Sequence, residues 1–167
     1  MKLLLKTERE TRCLGAALGA CLRPGDVVLL TGEMGAGKSV LTRAAARGMG
    51  VQGPVPSPTF TILNIHEGAR MRLYHFDLYR LEGEDALYEL GLDEFIPPVD
   101  GAAMIEWPQM AEEAMPADAL AVTMRYALDG EAREAELTPY GAFEKARLDE
   151  ALRRMKTMED EHEYPDD

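Results

Sequence analysis

The segment GEMGAGKS, residues 32–39, matches the phosphate-binding pattern Gly-x-x-x-x-Gly-Lys-Ser. The pattern has this meaning only between a strand and a helix. The apolar run DVVLLT, residues 26–31, predicts a buried strand before it, and KSVLTRAAARGMG, residues 38–50, predicts a helix that ends at glycines. A chance glycine turn is the alternative, and both flanking elements disfavour it.

The loop itself predicts a nucleotide site. Its glycines allow the tight winding that points backbone N–H groups at phosphate oxygens, and the helix that follows adds the positive end of its dipole. We expect Lys38 to contact the β- and γ-phosphates and Ser39 to ligate Mg²⁺. The predicted nucleotide-binding residues of this segment are Gly32, Glu33, Met34, Gly35, Ala36, Gly37, Lys38, Ser39 and Val40.

Two acidic residues end strand-like runs and are candidates for the catalytic site. Asp77 closes RLYHFD and Glu106 closes AAMIE, whereas the alternative role for each is to cap a turn. Ser57 and Thr59, within and directly after the proline-rich segment 54–58, would contact the γ-phosphate if that segment folds over the site, whereas their alternative role is ordinary turn chemistry. Trp107 adjoins Glu106 and either lines the site or belongs to the core. The histidines at 66 and 75 are predicted to be structural.

The remaining segments predict a three-layer α/β domain with a mixed parallel and antiparallel sheet. KLLLK, residues 2–6, suits an edge strand, and the spacing of Thr7 and Glu10 suits a helix cap. Two strands are expected near 59–65 and 71–77, and a hairpin is expected to turn at residues 129–130. One domain, residues 1–156, would end with an amphipathic helix at about 141–156, and the acidic tail 157–167 is expected to be disordered.

Composition limits the partners and the location. The 18 basic and 30 acidic residues give a net charge of −12, which disfavours a large nucleic-acid-binding face. The two cysteines, at 13 and 21, suit small buried side chains better than a disulfide or a metal site. No run is apolar and long enough for a signal peptide or a membrane span, so we expect a cytoplasmic protein without membrane partners.

The absence of certain motifs limits which nucleotide and which reaction we expect. The single asparagine, Asn64, precedes isoleucine, so the Asn-Lys-x-Asp guanine-recognition motif is absent and ATP is preferred to GTP. No arginine-rich lid follows the middle of the chain, which disfavours a small-molecule kinase without excluding it. A binding module gated by nucleotide, with incidental hydrolysis, is the other alternative.

Four phrases in order, GEMGAGKS, SPTFTILN, YHFDLYRL and IEWPQ, resemble the bacterial TsaE (YjeE) family over roughly residues 5–140. The resemblance implies an ATPase that binds ATP or ADP with Mg²⁺ and works with the proteins TsaB and TsaD. That pair transfers a threonylcarbamoyl group to adenosine 37 of tRNA, and hydrolysis by the family member resets the complex between turnovers.

The resemblance also assigns roles to individual residues. It places the loop lysine at Lys38, the Mg²⁺-binding hydroxyl at Ser39 and a functional threonine at Thr59. The important Asp, Glu and Trp of the family fall on Asp77, Glu106 and Trp107. We therefore expect Lys38, Thr59, Asp77 and Glu106 to act in catalysis, with Ser39 and Glu106 on the metal. Ser39 replaces a more common threonine, and the segment after residue 140 follows no family pattern.

Overall fold

The computed structural model describes residues 1–163 and 165 and is organised around a seven-stranded mixed sheet. The strands are β1 (Lys2–Leu5), β2 (Val27–Gly32), β3 (Leu63–Glu67), β4 (Arg72–Asp77), β5 (Gly101–Glu106), β6 (Ala119–Tyr126) and β7 (Arg133–Tyr140). Along the sheet they follow the order β1-β7-β6-β2-β5-β4-β3, and the pairs within β6-β2-β5-β4 are parallel. The flanking pairs are antiparallel.

Helices cover both faces of this sheet, so the predicted three-layer α/β fold is confirmed. Alternate strand residues point to opposite faces, and they form two hydrophobic clusters. The helices are α1 (Glu8–Cys21), α2 (Lys38–Gly48), α3 (Glu84–Glu89) and α4 (Lys145–Asp160), and the 3₁₀ segments are Leu92–Phe95 and Pro108–Ala114. The larger cluster joins the sheet to α1, α2 and α4, and the smaller one joins it to α3 and the two 3₁₀ segments.

Glycines allow α1 and α2 to pack with their backbones in close approach. A Cβ atom on Gly15 would lie 2.4 Å from the Leu41 carbonyl oxygen, and one on Gly19 would lie 2.0 Å from that of Ala45. Real Cβ atoms do not approach other atoms this closely, so any larger residue would force the helices apart. Because α2 begins at the phosphate-binding motif, this contact fixes the position of the loop.

Two predicted boundaries differ from the structure. The strand expected from residue 59 begins at Leu63, because Ile62 has a left-handed φ of 67° and its N–H donates to the Pro58 carbonyl at 2.7 Å. The helix expected at about 141–156 spans Lys145–Asp160. Its last turn therefore includes residues 157–160, which the sequence assigned to a disordered tail, and residues 164, 166 and 167 of that tail lie outside the described residues.

A nearly buried ion pair ties α4 to the turn before β2. The Arg147 guanidinium binds both carboxylate oxygens of Asp26, with one contact, Nη2 to Oδ1, at 2.9 Å. Asp26 also accepts the Arg23 backbone N–H at 2.7 Å, and the Arg147 guanidinium stacks on Phe143.

Among the described residues no helix combines the length and the apolar character that a membrane span requires.

Candidate nucleotide-binding site

The phosphate-binding motif forms a tight loop between β2 and α2. Gly35 and Gly37 have left-handed φ angles of 79° and 105°, a conformation that favours glycine. Gly37 is the N-cap residue of α2, so the free N–H groups of the first helical turn lie at the loop. The segment therefore has the backbone that binds anions at a helix N-terminus.

This loop opens onto a cavity of about 340 Å³. The predicted residues Gly32, Glu33 and Ala36 do not line it: Ala36 is buried in the core, and the other two contribute carbonyl groups instead. All the other predicted site residues are brought together here. The lining residues are Met34, Gly35, Gly37, Lys38, Ser39, Val40, Ser57, Thr59, Asp77, Tyr79, Arg80, Glu106 and Trp107.

Lys38 is held at the floor of the cavity by the loop itself. Its ammonium donates to the carbonyls of Gly32 at 2.5 Å and Glu33 at 3.0 Å, and its side chain is largely buried. Burial lowers the pKa of Lys38, and the negative charges of Glu106, Asp77 and Glu33 oppose that shift. The ammonium therefore lies among carboxylates and carbonyl oxygens, and a phosphate could take the place of the carbonyl oxygens.

The two strand-end acids are neighbours because β4 and β5 end in register. Asp77 pairs with Glu106 at the carboxyl ends of these parallel strands, and both side chains are buried. Crevices at the carboxyl ends of strands are where open α/β sheets bind ligands. The register thus places two carboxylates against the loop, as their positions in the sequence predicted.

Asp77 is connected to the proline-rich segment. Its Oδ2 accepts the Thr59 hydroxyl at 3.1 Å, its Oδ1 accepts the backbone N–H of Tyr79 at 3.0 Å, and the Ser57 and Thr59 hydroxyls lie 3.0 Å apart. The turn after β4 is thereby capped by Asp77, so the alternative structural role is present as well. These contacts bring Thr59 to the cavity.

Glu106 is connected to a residue that the sequence analysis assigned to structure alone. His75 Nε2 lies 3.0 Å from Glu106 Oε2, and both residues are buried. The contact depends on the register of β4 against β5, which no local sequence signal specifies. The period-2 spacing of His75 and Asp77, which puts both on one face of β4, was the available clue.

Trp107 forms one wall of the cavity. Its φ of 59° is left-handed, its ring lies 4.9 Å from that of Tyr79, and the Lys38 ammonium lies 4.8 Å from its ring centroid. Tyr79 and Arg80 also line the cavity, and neither was predicted from the sequence. Both follow directly after the strand-end acid Asp77, the position where loop residues of α/β sites lie.

The oxygen atoms of the cavity suit a hard divalent cation. The Ser39 hydroxyl and the carboxylates of Asp77 and Glu106 are ligands of the kind that Mg²⁺ prefers. The described residues contain no group of three His, Cys, Asp or Glu side chains arranged for a metal. Mg²⁺ held by a few protein oxygens takes its other ligands from phosphate oxygens and water.

A second cavity of about 200 Å³ shares residues with the first. Gly35, Gly37 and Val40 line both cavities, and residues 5–8 and Thr11 line the second. The second cavity therefore adjoins the first beside the phosphate-binding loop, toward the start of α1.

Comparisons with known proteins agree with this architecture. The family model described as "Threonylcarbamoyl adenosine biosynthesis protein TsaE" matches residues 5–135. The TsaE protein of Bacillus subtilis is 39% identical over 132 residues, covering 79% of this chain and 81% of that protein. The TsaE of Streptomyces coelicolor is 40% identical over 126 residues, covering 74% and 84%.

A solved structure extends the similarity to the fold. The crystal structure of Bacillus subtilis YdiB matches with a TM-score of 0.78 and 31% identity, covering 92% of this chain and 94% of that one. The similarity therefore covers most of the chain in both sequence and fold. The chain belongs to the TsaE family of threonylcarbamoyl adenosine biosynthesis proteins.

Proposed function

We propose that this protein binds ATP with Mg²⁺ and hydrolyses it, and that with TsaB and TsaD it supports threonylcarbamoylation of adenosine 37 in tRNA. One observation carries the proposal. The phosphate-binding loop, two strand-end carboxylates and Thr59 line a single cavity of about 340 Å³. Hydrolysis of a triphosphate depends mainly on positioning and on charge stabilisation, and these groups can supply both.

Each residue has a role in this proposal. Lys38 would bind the β- and γ-phosphates in place of the loop carbonyl groups, and the Ser39 hydroxyl and Glu106 would hold Mg²⁺. Asp77 would orient a metal-bound or attacking water, and Thr59 would contact the γ-phosphate. Mg²⁺ supplies charge neutralisation of the phosphates when bound. ADP would occupy the same loop after phosphate release.

The role in tRNA modification rests on family membership. Hydrolysis would reset the TsaB–TsaD complex between turnovers, so the energy of ATP would serve the cycle and not the new bond. The net charge of −12 fits a protein whose partners hold the tRNA. This role also places the protein in the cytoplasm, where tRNA is modified.

The experiment is phosphate release from ATP by the protein alone and with purified TsaB and TsaD. We expect slow release that rises at least about tenfold with the partners, because fixing mobile loops over the site improves positioning. Lys38→Met is the control and should release no phosphate. A rate indifferent to TsaB and TsaD contradicts the proposed role, and phosphate on a small-molecule acceptor would indicate a kinase.

A further inference from the structure

The proposed chemistry gives no role to His75, which forms a buried pair with Glu106. We infer that His75 is a positioning residue, which holds the Glu106 carboxylate for Mg²⁺; this inference rests on the proposed function. The pair joins His75 Nε2 to Glu106 Oε2 at 3.0 Å, with side chains only 2% and 4% exposed. Metal-ligating carboxylates depend on such hydrogen bonds for their orientation.

The direction of the hydrogen bond follows from the chemistry of the two groups. A carboxylate that ligates Mg²⁺ is ionised and only accepts hydrogen bonds, so in the proposed site His75 Nε2 carries the proton and donates it. A neutral imidazole in this tautomer leaves Nδ1 as an acceptor, and Nδ1 is buried without a hydrogen-bond partner among residues 1–163 and 165. The hydrogen bond to Glu106 is therefore the single polar contact of this imidazole within the described chain.

The position of the pair relative to the cavity supports a role in orientation. His75 and Asp77 lie on the same face of β4, and Asp77 is in register with Glu106 on β5. Glu106 lines the cavity, whereas His75 does not. The imidazole thus binds Oε2 from within the protein, which leaves Oε1 for a ligand.

Holding one oxygen matters because a glutamate side chain is flexible. Fixing its rotamers costs conformational entropy, and a donor that has already fixed them lowers the cost of binding Mg²⁺. Loss of a hydrogen bond to a metal-ligating residue typically weakens metal binding about 10- to 100-fold. His75 should therefore affect Mg²⁺-dependent steps and leave metal-free nucleotide binding almost unchanged.

The test compares His75→Leu, which removes the donor, with His75→Gln, which keeps an N–H at about the distance of Nε2. Fluorescence of Trp107, the single tryptophan, reports nucleotide binding at the cavity. For each variant we would titrate Mg²⁺ against the ATP-bound protein, measure ATP affinity in EDTA, and measure the hydrolysis rate. Thermal unfolding of both variants controls for the fold.

We expect His75→Leu to raise the half-saturating Mg²⁺ concentration about 10- to 100-fold. Its ATP affinity in EDTA should stay within about twofold of wild type, and His75→Gln should recover most of the Mg²⁺ affinity. Equal Mg²⁺ titrations for wild type and His75→Leu overturn the inference and leave the proposed function intact. So do equal losses in both variants that follow their unfolding temperatures. A wild-type protein that binds no ATP overturns both.

Discussion

The contact between α1 and α2 leads to a prediction whose size can be worked out from the structure. In Gly19→Ala, the new Cβ atom would lie 2.0 Å from the Ala45 carbonyl oxygen and 2.9 Å from its Cα. These obstacles are backbone atoms of a helix, so they cannot rotate away. Because real Cβ atoms stay at least 3.0 Å from other atoms, the helices must separate locally by about 1 Å.

Two opposing effects set the magnitude. Overpacking and the accompanying loss of contacts cost up to about 3 kcal/mol, and we take the upper end because backbone must move. Alanine in place of glycine within a helix returns about 1 kcal/mol through its higher helix propensity. The free energy of unfolding should therefore fall by about 2 kcal/mol, which lowers the melting temperature by about 4–8 °C in a chain of this size.

The assay is urea unfolding followed by circular dichroism, with thermal melts in parallel. Ala20→Gly is the matched control, since it makes the reverse change at the neighbouring, half-buried position of α1 and adds no atom to the contact with α2. It should lose about 1 kcal/mol. A Gly19→Ala protein as stable as wild type, or more stable, would refute the close helix packing and with it the account of how α2 is positioned.

Further predictions concern Cys13, Arg147 and Thr59. Cys13 is fully buried, and burial raises its pKa to about 11, so at pH 8 a thiol reagent should label half-buried Cys21 first and Cys13 only on unfolding. Because the unfolded thiol ionises near pH 9, Cys13 should also make stability fall as the pH rises from 9 to 11, an effect that Cys13→Ala removes. Arg147→Lys keeps the charge but loses the bidentate contact with Asp26, so the free energy of unfolding in urea should fall by about 1–2 kcal/mol. An unchanged free energy of unfolding would show that the pair contributes only charge. Thr59→Val removes the hydroxyl bonded to Asp77, and steady-state kinetics should show kcat at least about tenfold lower with KM little changed, whereas a change confined to KM would assign Thr59 to binding alone.

Much of the fold could be predicted because its signals are local. Thr7 caps α1 by accepting the Glu10 N–H at 3.2 Å, as the spacing in the sequence indicated. Asp129 accepts two backbone N–H groups in the hairpin turn, which is the usual chemistry of an Asp-Gly turn. The strand, glycine loop and helix around Lys38 also specify one another within a short segment.

Features that depend on distant contacts could not be predicted in the same way. A left-handed φ at Ile62 is unfavourable for a β-branched residue, and it persists where the Ile62 N–H donates to the Pro58 carbonyl and the Ile62 carbonyl accepts the Asp77 N–H. The bond from His75 to Glu106 exists only because two strands lie in a particular register. The last turn of α4 is a different case, because residues 145–160 contain no glycine or proline and this local signal allowed a helix as far as Asp160.

A crystal structure with Mg²⁺ and a non-hydrolysable ATP analogue tests the proposed site most directly. We predict that the phosphates lie in the cavity of about 340 Å³, with Lys38 moved from the carbonyl oxygens of Gly32 and Glu33 onto the phosphates. We also predict that Ser39 and Glu106 hold Mg²⁺. A nucleotide bound elsewhere, or a Lys38 ammonium still bound to both carbonyl groups beside the phosphates, would contradict the proposed site.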